Sequence, residues 1–492
     1  HIRERREPES LSERASRSPM LGEQQRAFGY TAEELAVVLR PMLRDGQEPI
    51  GSMGDDTALA LFSDQNRPLY GYFKQRFAEV TNPPIDPLRE ALVMSLAVGL
   101  GRRGNLLEET PQHARLLRLP SPVLTDEHLE QIRTHRDAAF SSAVLPALFP
   151  ASKGPDGLAQ ALDELEARAE AAARNNKVML IISDRGINAE QAPIPALLAL
   201  GAVHQHLIRT GLRTAVSLIV ESGEPREVHH LACLIGMGAE AVNPYLALAS
   251  VRALAVEREA VRGKAQDAEP EDKRSEAELS EEAEHNYIHA LEKGLLKVMS
   301  KMGIATVDSY CGAKIFEAIG LNNKLVERYF TGVPSRLGGA TLRYIARVVL
   351  SNHEEAFAQR TPHVATHALP HPGFYKFKKD GEYHAFSPKV VHALQKAAKA
   401  GSNYDAYRAY SELIHSRPPT ELRDLLALDE NAAVTPISID EVEPIEEIVK
   451  RFSTAAMSHG STSAEAHETL SIAMNRLGGM ANSGEGGEDP SR

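Results

Sequence analysis

The chain has 492 residues, with 55 Lys and Arg against 67 Asp and Glu, a formal net charge of −12 that leaves no basic footprint for a nucleic acid. A hydrophobic fraction of 42% and a charged fraction of 25% are ordinary for a soluble globular protein, and the length points to two or more domains. Its two cysteines, Cys233 and Cys311, lie far apart, which argues against a disulfide framework, fits a reducing cytoplasm and leaves no complete iron–sulfur ligand set in this chain.

The first 20 residues are polar and arginine-rich, without the apolar core of a signal peptide and without an initiator Met. No run anywhere approaches the roughly 20 apolar residues of a membrane helix. Thr31 to Arg44 has apolar residues at helical spacing, with Thr31 as N-cap ahead of Glu33 and Glu34. The Asn82-Pro83-Pro84-Ile85-Asp86-Pro87 run is held extended by its prolines, and a helix follows from about Leu88. Ala159 to Arg174 reads as a helix. Val178 to Ile182 is a continuous apolar run ended by Ser183-Asp184-Arg185-Gly186, and a helix follows over Pro195 to Arg209. Ala215 to Val220, the loop Glu221-Ser222-Gly223-Glu224, a helix over Pro225 to Gly236 and a short strand at Ala241-Val242-Asn243 repeat the rhythm. Buried strands alternating with amphipathic helices predict parallel βα units, with ligands at the carboxyl ends of the strands.

Farther along, Glu257 to Glu284 is dense in charge and alanine and reads as an insertion, an exposed helix or a mobile loop. Tyr287 to Met302 resumes an apolar helix. Lys376 to Pro388 predicts a hairpin turning at Asp380-Gly381, and Val390 to Ala400 a helix closed by Gly401. The chain finishes on a strand end around Arg451 to Gly460, a helix from Ala464 to Arg476 and a glycine-rich loop from Leu477 to Asp489.

Several residues are open to two readings. Ala456-Met457-Ser458 is either an ordinary strand-to-helix turn or a place where small residues let a ring approach the backbone. The loop Asn482 to Glu488 is a plain turn or an anion-holding loop. Gly51-Ser52-Met53-Gly54-Asp55-Asp56 is a structural turn or a tight loop that lends Met53 to a ligand. His204, His206, His229 and His230 lack the spacing of a metal site and read as partly exposed helix histidines. Asp184-Arg185 reads as a structural ion pair, and Cys311 as a buried small residue, not a nucleophile.

Longer segments carry a more specific signal. Ser453-Thr454-Ala455-Ala456-Met457-Ser458-His459-Gly460-Ser461, the helix Glu465 to Arg476, and Asn482 with Gly484 to Glu488 resemble the opening of the flavin domain of glutamate synthase large chains. Pro49 to Asp56, Tyr72-Phe73-Lys74-Gln75, Val80 to Pro87, Ser183 to Gly186, Leu295 to Gly303, Ser309 to Ala313 and Tyr329-Phe330-Thr331-Gly332 resemble that family's central domain in the same order. Ala455, His459 and Met480 stand where the family has glycine, tyrosine and lysine.

The resemblance implies an α/β chain: a central domain of parallel βα units with added helices over 21–430, after a polar segment 1–20. The first βα unit of a truncated (β/α)8 FMN barrel would follow over 431–492. It further implies that Ala456, Met457 and Ser458 approach FMN, that Met53 and Glu488 contact substrate, and that no metal ligand lies in this chain; catalytic residues stay unassigned. The parent enzyme it implies makes L-glutamate from L-glutamine and 2-oxoglutarate, with channelled ammonia, FMN, a 3Fe-4S cluster, and a small subunit or ferredoxin as electron donor. A cytoplasmic oligomer is expected, and this stretch alone is expected to be an inactive fragment. The alternative is a non-catalytic α/β scaffold derived from that family.

Overall fold

The computed structural model describes residues 20–49, 61–63, 65–76, 89–105, 107–262, 274–358, 369–399, 401, 403–429, 435–457 and 462–484. Two compact units divide the chain, His1–Leu422 and Arg423–Arg492. No helix among the described residues is long and apolar enough to cross a membrane.

The first unit is built on a four-stranded parallel sheet. Strand β1 (Ser142–Pro146) is followed by helix α1 (Gly154–Arg174), β2 (Met179–Ser183) by α2 (Ala196–Arg209), β3 (Ser217–Glu221) by α3 (Val228–Gly236), and β4 (Ala241–Asn243) by α4 (Tyr245–Arg262). The strands lie side by side in chain order, with Leu180 opposite Ala143 and Leu218, and Val220 opposite Val242. That order is singly wound, each crossover moving on to the next strand as in a barrel, and differs from the order of a doubly wound sheet. β2 and β3 are buried at every position, so their sequences run apolar without alternation, as strands covered on both faces do. β1 lies at the edge, where Val144 is 43% exposed.

The helices cover the sheet through stripes set by the 3.6-residue turn. In α1, Leu158, Leu162, Leu165, Ala169 and Ala173 are buried at three- and four-residue spacing. Helix α2 is buried nearly all round, and at Gly201 a Cβ would meet the Tyr329 carbonyl at 2.5 Å, so only glycine allows that approach. Helix α5 (Glu276–Lys301) packs on α4; it opens on a capping box between Ser275 and Glu278. Leu279 and Ala283 are buried on it, so the described end of the charged 257–284 stretch is an integral helix with a core face, not an exposed insertion. Residues 263–273 lie outside the described ones.

Short strands complete this unit. Phe73–Gln75 pairs antiparallel with Phe316–Leu321, which pairs parallel with Leu337–Ala340. Leu148–Pro150 and Gln191–Pro193, which follow β1 and β2, form a small antiparallel pair. The expected hairpin at 376–388 is absent. Asp380 does turn, with φ 63, and Gly381 donates to the Lys378 carbonyl at 3.1 Å. At its start the amides of Phe374, Tyr375 and Lys376 instead donate to the buried Glu33 carboxylate, which takes Lys376, the first donor a ladder would use. Glu33 belongs to the helical segment that Thr31 caps, as expected, through a reciprocal box with Glu34.

In the second unit, helix α6 (Ala464–Leu477) connects two parallel segments bridged at Ser453 and Met480. Gly478 closes the helix at φ 85. Part of the stretch that reads as a glycine-rich loop therefore runs parallel to the 453 segment through a single bridge.

Candidate functional site

The carboxyl edge of the parallel sheet gathers the charged groups of the first unit. Glu221, at the end of β3, is 1% exposed. It accepts from Ser183 Oγ at 2.5 Å, from Arg133 at 2.8 Å and from Arg185 Nε. Arg185 donates onward to Asp126 at 2.7 Å and lies 4.2 Å over the Tyr245 ring. Arg252 joins Asp126, at 3.0 Å, to Glu284, at 2.6 Å. Three arginines thus face three carboxylates, and every carboxylate of the set is paired, which a low-dielectric site demands.

Asp184 stands apart from its neighbour. It accepts from Ser222 Oγ and from the Gly223 amide at 3.0 Å, and makes no ion pair with Arg185, contrary to the expectation from sequence. Successive strand-end residues point to opposite sides, so the two side chains find different partners. Burial pushes the Asp184 carboxyl up to about 7, against the Ser222 and Gly223 hydrogen bonds.

Beside this edge lies a cleft of ≈ 60 Å³. Its floor is the loop after β3. Arg226 donates to Glu34 at 2.9 Å and to the Phe28 and Gly29 carbonyls at 3.3 and 3.1 Å, with its guanidinium 4.4 Å from the Tyr30 ring centre. Glu224 Oε2 accepts the Ala196 amide at 2.9 Å, at the first turn of α2. Burial raises the Glu224 carboxyl, opposed by that amide and by the nearby His230 and Arg226.

The four histidines are better buried than the sequence suggests. His204, His229 and His230 are 7%, 7% and 3% exposed. His204 Nδ1 accepts from Arg213 at 3.0 Å, His206 meets Glu170 at 2.7 Å, His229 meets the Tyr70 carbonyl at 3.2 Å, and His230 meets Glu227 at 3.1 Å. Each serves a separate local contact, and no group of three or more metal-ligating side chains occurs among the described residues. Cys311 sits against the Ala239 carbonyl with its thiol pushed up by burial, the state of an inert residue.

In the second unit, the Met457 amide donates to the Asn482 carbonyl at 3.1 Å and Thr454 to Met480 at 3.0 Å. Met457 is buried while Ala455 and Ala456 are exposed, so the small residues of this strand end are open to an approaching group. Ala456 and Asn482 are thereby brought onto neighbouring parallel segments, and a Cβ on Gly484 would stand 3.6 Å from that of Ala456. Ser458, Met53 and Glu488 lie outside the described residues.

Sequence reasoning missed Asp126, Arg133, Arg252 and Glu284 at the sheet edge. They come from helices far from β3 in the chain, and nothing in their local sequence marks them. It also missed Glu224 and Arg226 as the floor of a cleft, although a polar loop directly after a buried strand is a signal for such a place.

A family model described as the glutamate synthase central domain matches residues 23–322, and a second, the conserved region in glutamate synthase, matches 384–492. The chain is 44% identical over 490 residues to the glutamate synthase [NADPH] large chain of Bacillus subtilis, covering 99% of this chain and 30% of that protein. It is 47% identical over 480 residues to ferredoxin-dependent glutamate synthase 2 of Synechocystis, covering 95% of this chain and 30% of that one. The chain thus spans about a third or less of the curated relatives it matches. Among solved structures, a flavocytochrome b2 mutant with sulfite bound superposes with a TM-score of 0.25 and 11% identity, over 42% of this chain and 44% of that one. So loose a likeness carries no argument.

Proposed function

The chain belongs to the glutamate synthase family, and from that premise we propose that it is the central part of an enzyme making L-glutamate from L-glutamine and 2-oxoglutarate. In this reading 1–20 is a polar lead, 21–430 connects a glutaminase domain to a synthase domain, and 431–492 opens a (β/α)8 FMN-binding barrel. The observation that carries it is the order of the two family matches, 23–322 and then 384–492, on one chain.

The second unit fits the start of such a barrel. Its described residues from 453 to 484 run as a parallel segment, a helix and a second parallel segment, the order of a repeating unit of that fold. The exposed Ala455 and Ala456 leave a strand end without bulky side chains, a shape that suits a flat ring. Ala456, Met457 and Ser458 would hold FMN there, with the buried Met457 fixing the strand through its bond to Asn482. When bound, FMN would supply hydride chemistry. Met53 and Glu488 are the residues we assign to substrate contact. The thiols of this chain do not fit a 3Fe-4S cluster: Cys233 is fully buried beside His229, and two cysteines are too few. That cluster, and the small subunit or ferredoxin that would feed it in a cytoplasmic, oligomeric enzyme, belong to the parent chain.

A connecting role suits the first unit, whose carboxyl edge is filled, among the described residues, by paired charges. The test is the product of the whole reading frame in the source genome, purified and assayed for glutamate formation from glutamine and 2-oxoglutarate with NADPH or reduced ferredoxin. Glutamate formation with one bound FMN per chain is expected, and Glu488→Ala should lower kcat/KM for 2-oxoglutarate at least about tenfold. A full product that binds no flavin and forms no glutamate would leave the α/β scaffold as the better reading.

A further inference from the structure

The cleft beside the sheet holds polar groups that the reading above does not use. Arg67, at its mouth, has no carboxylate partner among the described residues; its guanidinium carbon lies 4.4 Å from the Phe374 ring centre. Phe374 is itself fixed, since its amide donates to the buried Glu33. The Asn66 and Asn352 amides line the same cleft, and neither makes a hydrogen bond to another described residue. Glu224 lines it from the floor, and Ile345 and Val349 supply an apolar wall.

We propose that this cleft binds an α-amino acid with an aliphatic side chain, its ammonium on Glu224 and its carboxylate on Arg67 and the two amides. A simple anion would satisfy Arg67 but face the Glu224 carboxylate. A simple amine would satisfy Glu224 but leave the guanidinium and both amides without an acceptor. A zwitterion answers both, and charge-assisted hydrogen bonds to each end are the strong kind. The positions are prepared in advance: Arg67 by stacking on an anchored phenylalanine, Glu224 by the Ala196 amide at the positive end of α2. Apolar walls with a few convergent polar groups are the usual make-up of small-molecule sites. The cleft is lined by none of the residues assigned to FMN or substrate, so the site stands whether or not the proposed reaction does.

Isothermal titration calorimetry of this chain with L-valine and with 3-methyl-2-oxobutanoate, which has the same skeleton and no ammonium, tests the proposal. Valine should bind with a Kd on the order of 1 mM or better, and the oxo acid at least about tenfold more weakly. Arg67→Gln and Asn352→Leu, both at the partly exposed mouth, should each weaken valine binding, the former at least about tenfold, with the thermal unfolding midpoint of the unliganded chain unchanged. Glu224→Gln should do the same if it folds. Absence of valine binding, equal binding of the oxo acid, or full affinity in a folded Arg67→Gln variant would each overturn it.

Discussion

At the amino edge of the parallel sheet, a single arginine ties together residues close to it in sequence. Arg213 donates to His204 at 3.0 Å, to the Val216 and Gly238 carbonyls at 2.9 Å and to Glu240 at 2.9 Å, and Glu240 in turn accepts the Leu218 amide at 2.7 Å. At the carboxyl edge, three arginines and three carboxylates are drawn from positions 126 to 284. The amino edge is a stitch within one βα unit and its successor, nearly closed to water. The carboxyl edge comes together only when α4, α5 and the 126–133 helix have docked, and Arg185 there stays 44% exposed. One edge secures the sheet; the other secures the unit around the sheet, on the side where α/β proteins place their ligands.

Removing a charge from the carboxyl edge should have the largest effect. Glu221→Ala removes a buried carboxylate shared by Arg133 and Arg185 and leaves the Ser183 hydroxyl without its acceptor; because Arg133 keeps Glu130 and Arg185 keeps Asp126, the cost should be about 2–4 kcal/mol. Urea unfolding followed by circular dichroism checks this. A cost below about 1 kcal/mol would mean that solvent replaces the carboxylate and that the edge is wetter than its burial implies.

Much of this scaffold is legible in the sequence. Val178 to Ile182 and Ala215 to Val220 announce buried strands because they are long apolar runs ended by polar residues, and α1, α2 and α3 announce themselves by periodicity. Ser142 to Pro146 does not: it is five residues long, half exposed and bounded by proline, so nothing local distinguishes β1 from a loop. The failed hairpin at 376–388 has a different cause. Its turn residues are right, but Glu33, more than 340 positions earlier, takes the Lys376 amide where the first strand would begin, and no local pattern records that. The same holds for the candidate site. Ser183 to Gly186 marks the sheet edge correctly, yet the pairing of Arg185 with Asp126 and Glu221 is set by packing, and the cleft joins positions 67, 224 and 352.

A glycine at the amino edge gives the next effect. Gly238 has φ 114, and a Cβ there would fall 2.2 Å from His204 Nδ1. Gly238→Ala therefore combines backbone strain with displacement of the His204–Arg213 pair, and should cost about 1–3 kcal/mol by the same unfolding assay. If the stitch is as local as it looks, this cost and that of Glu221→Ala should add in the double variant to within about 0.5 kcal/mol, because the two edges share no partner. A larger deviation would show that the edges communicate through β3.

The two edges should also respond to pH with opposite sign, and that is the subtlest test of the contrast. At the amino edge, burial and the nearby Arg213 and Lys314 charges push His204 down to about 3 from 6.5. The unfolded chain then binds a proton that the folded one refuses, so this stability is present above about pH 6.5 and is lost as pH falls toward 3. At the carboxyl edge, Asp184 is pushed up to about 7 from 3.8, so the folded chain holds a proton that the unfolded one releases. Its contribution therefore declines as pH rises from about 4 to 7. Asp184→Asn keeps an acceptor for the Gly223 amide and a donor for Ser222, and removes the charge. Relative to the wild type, its stability should grow by on the order of 1–2 kcal/mol between about pH 5 and pH 8. His204→Gln should behave in the reverse way: its deficit against the wild type should shrink as pH falls from about 7 to 5, because the wild type alone loses the neutral-imidazole contribution there. Unfolding curves of both variants that run parallel to the wild type across this range would show that neither edge titrates as its burial demands.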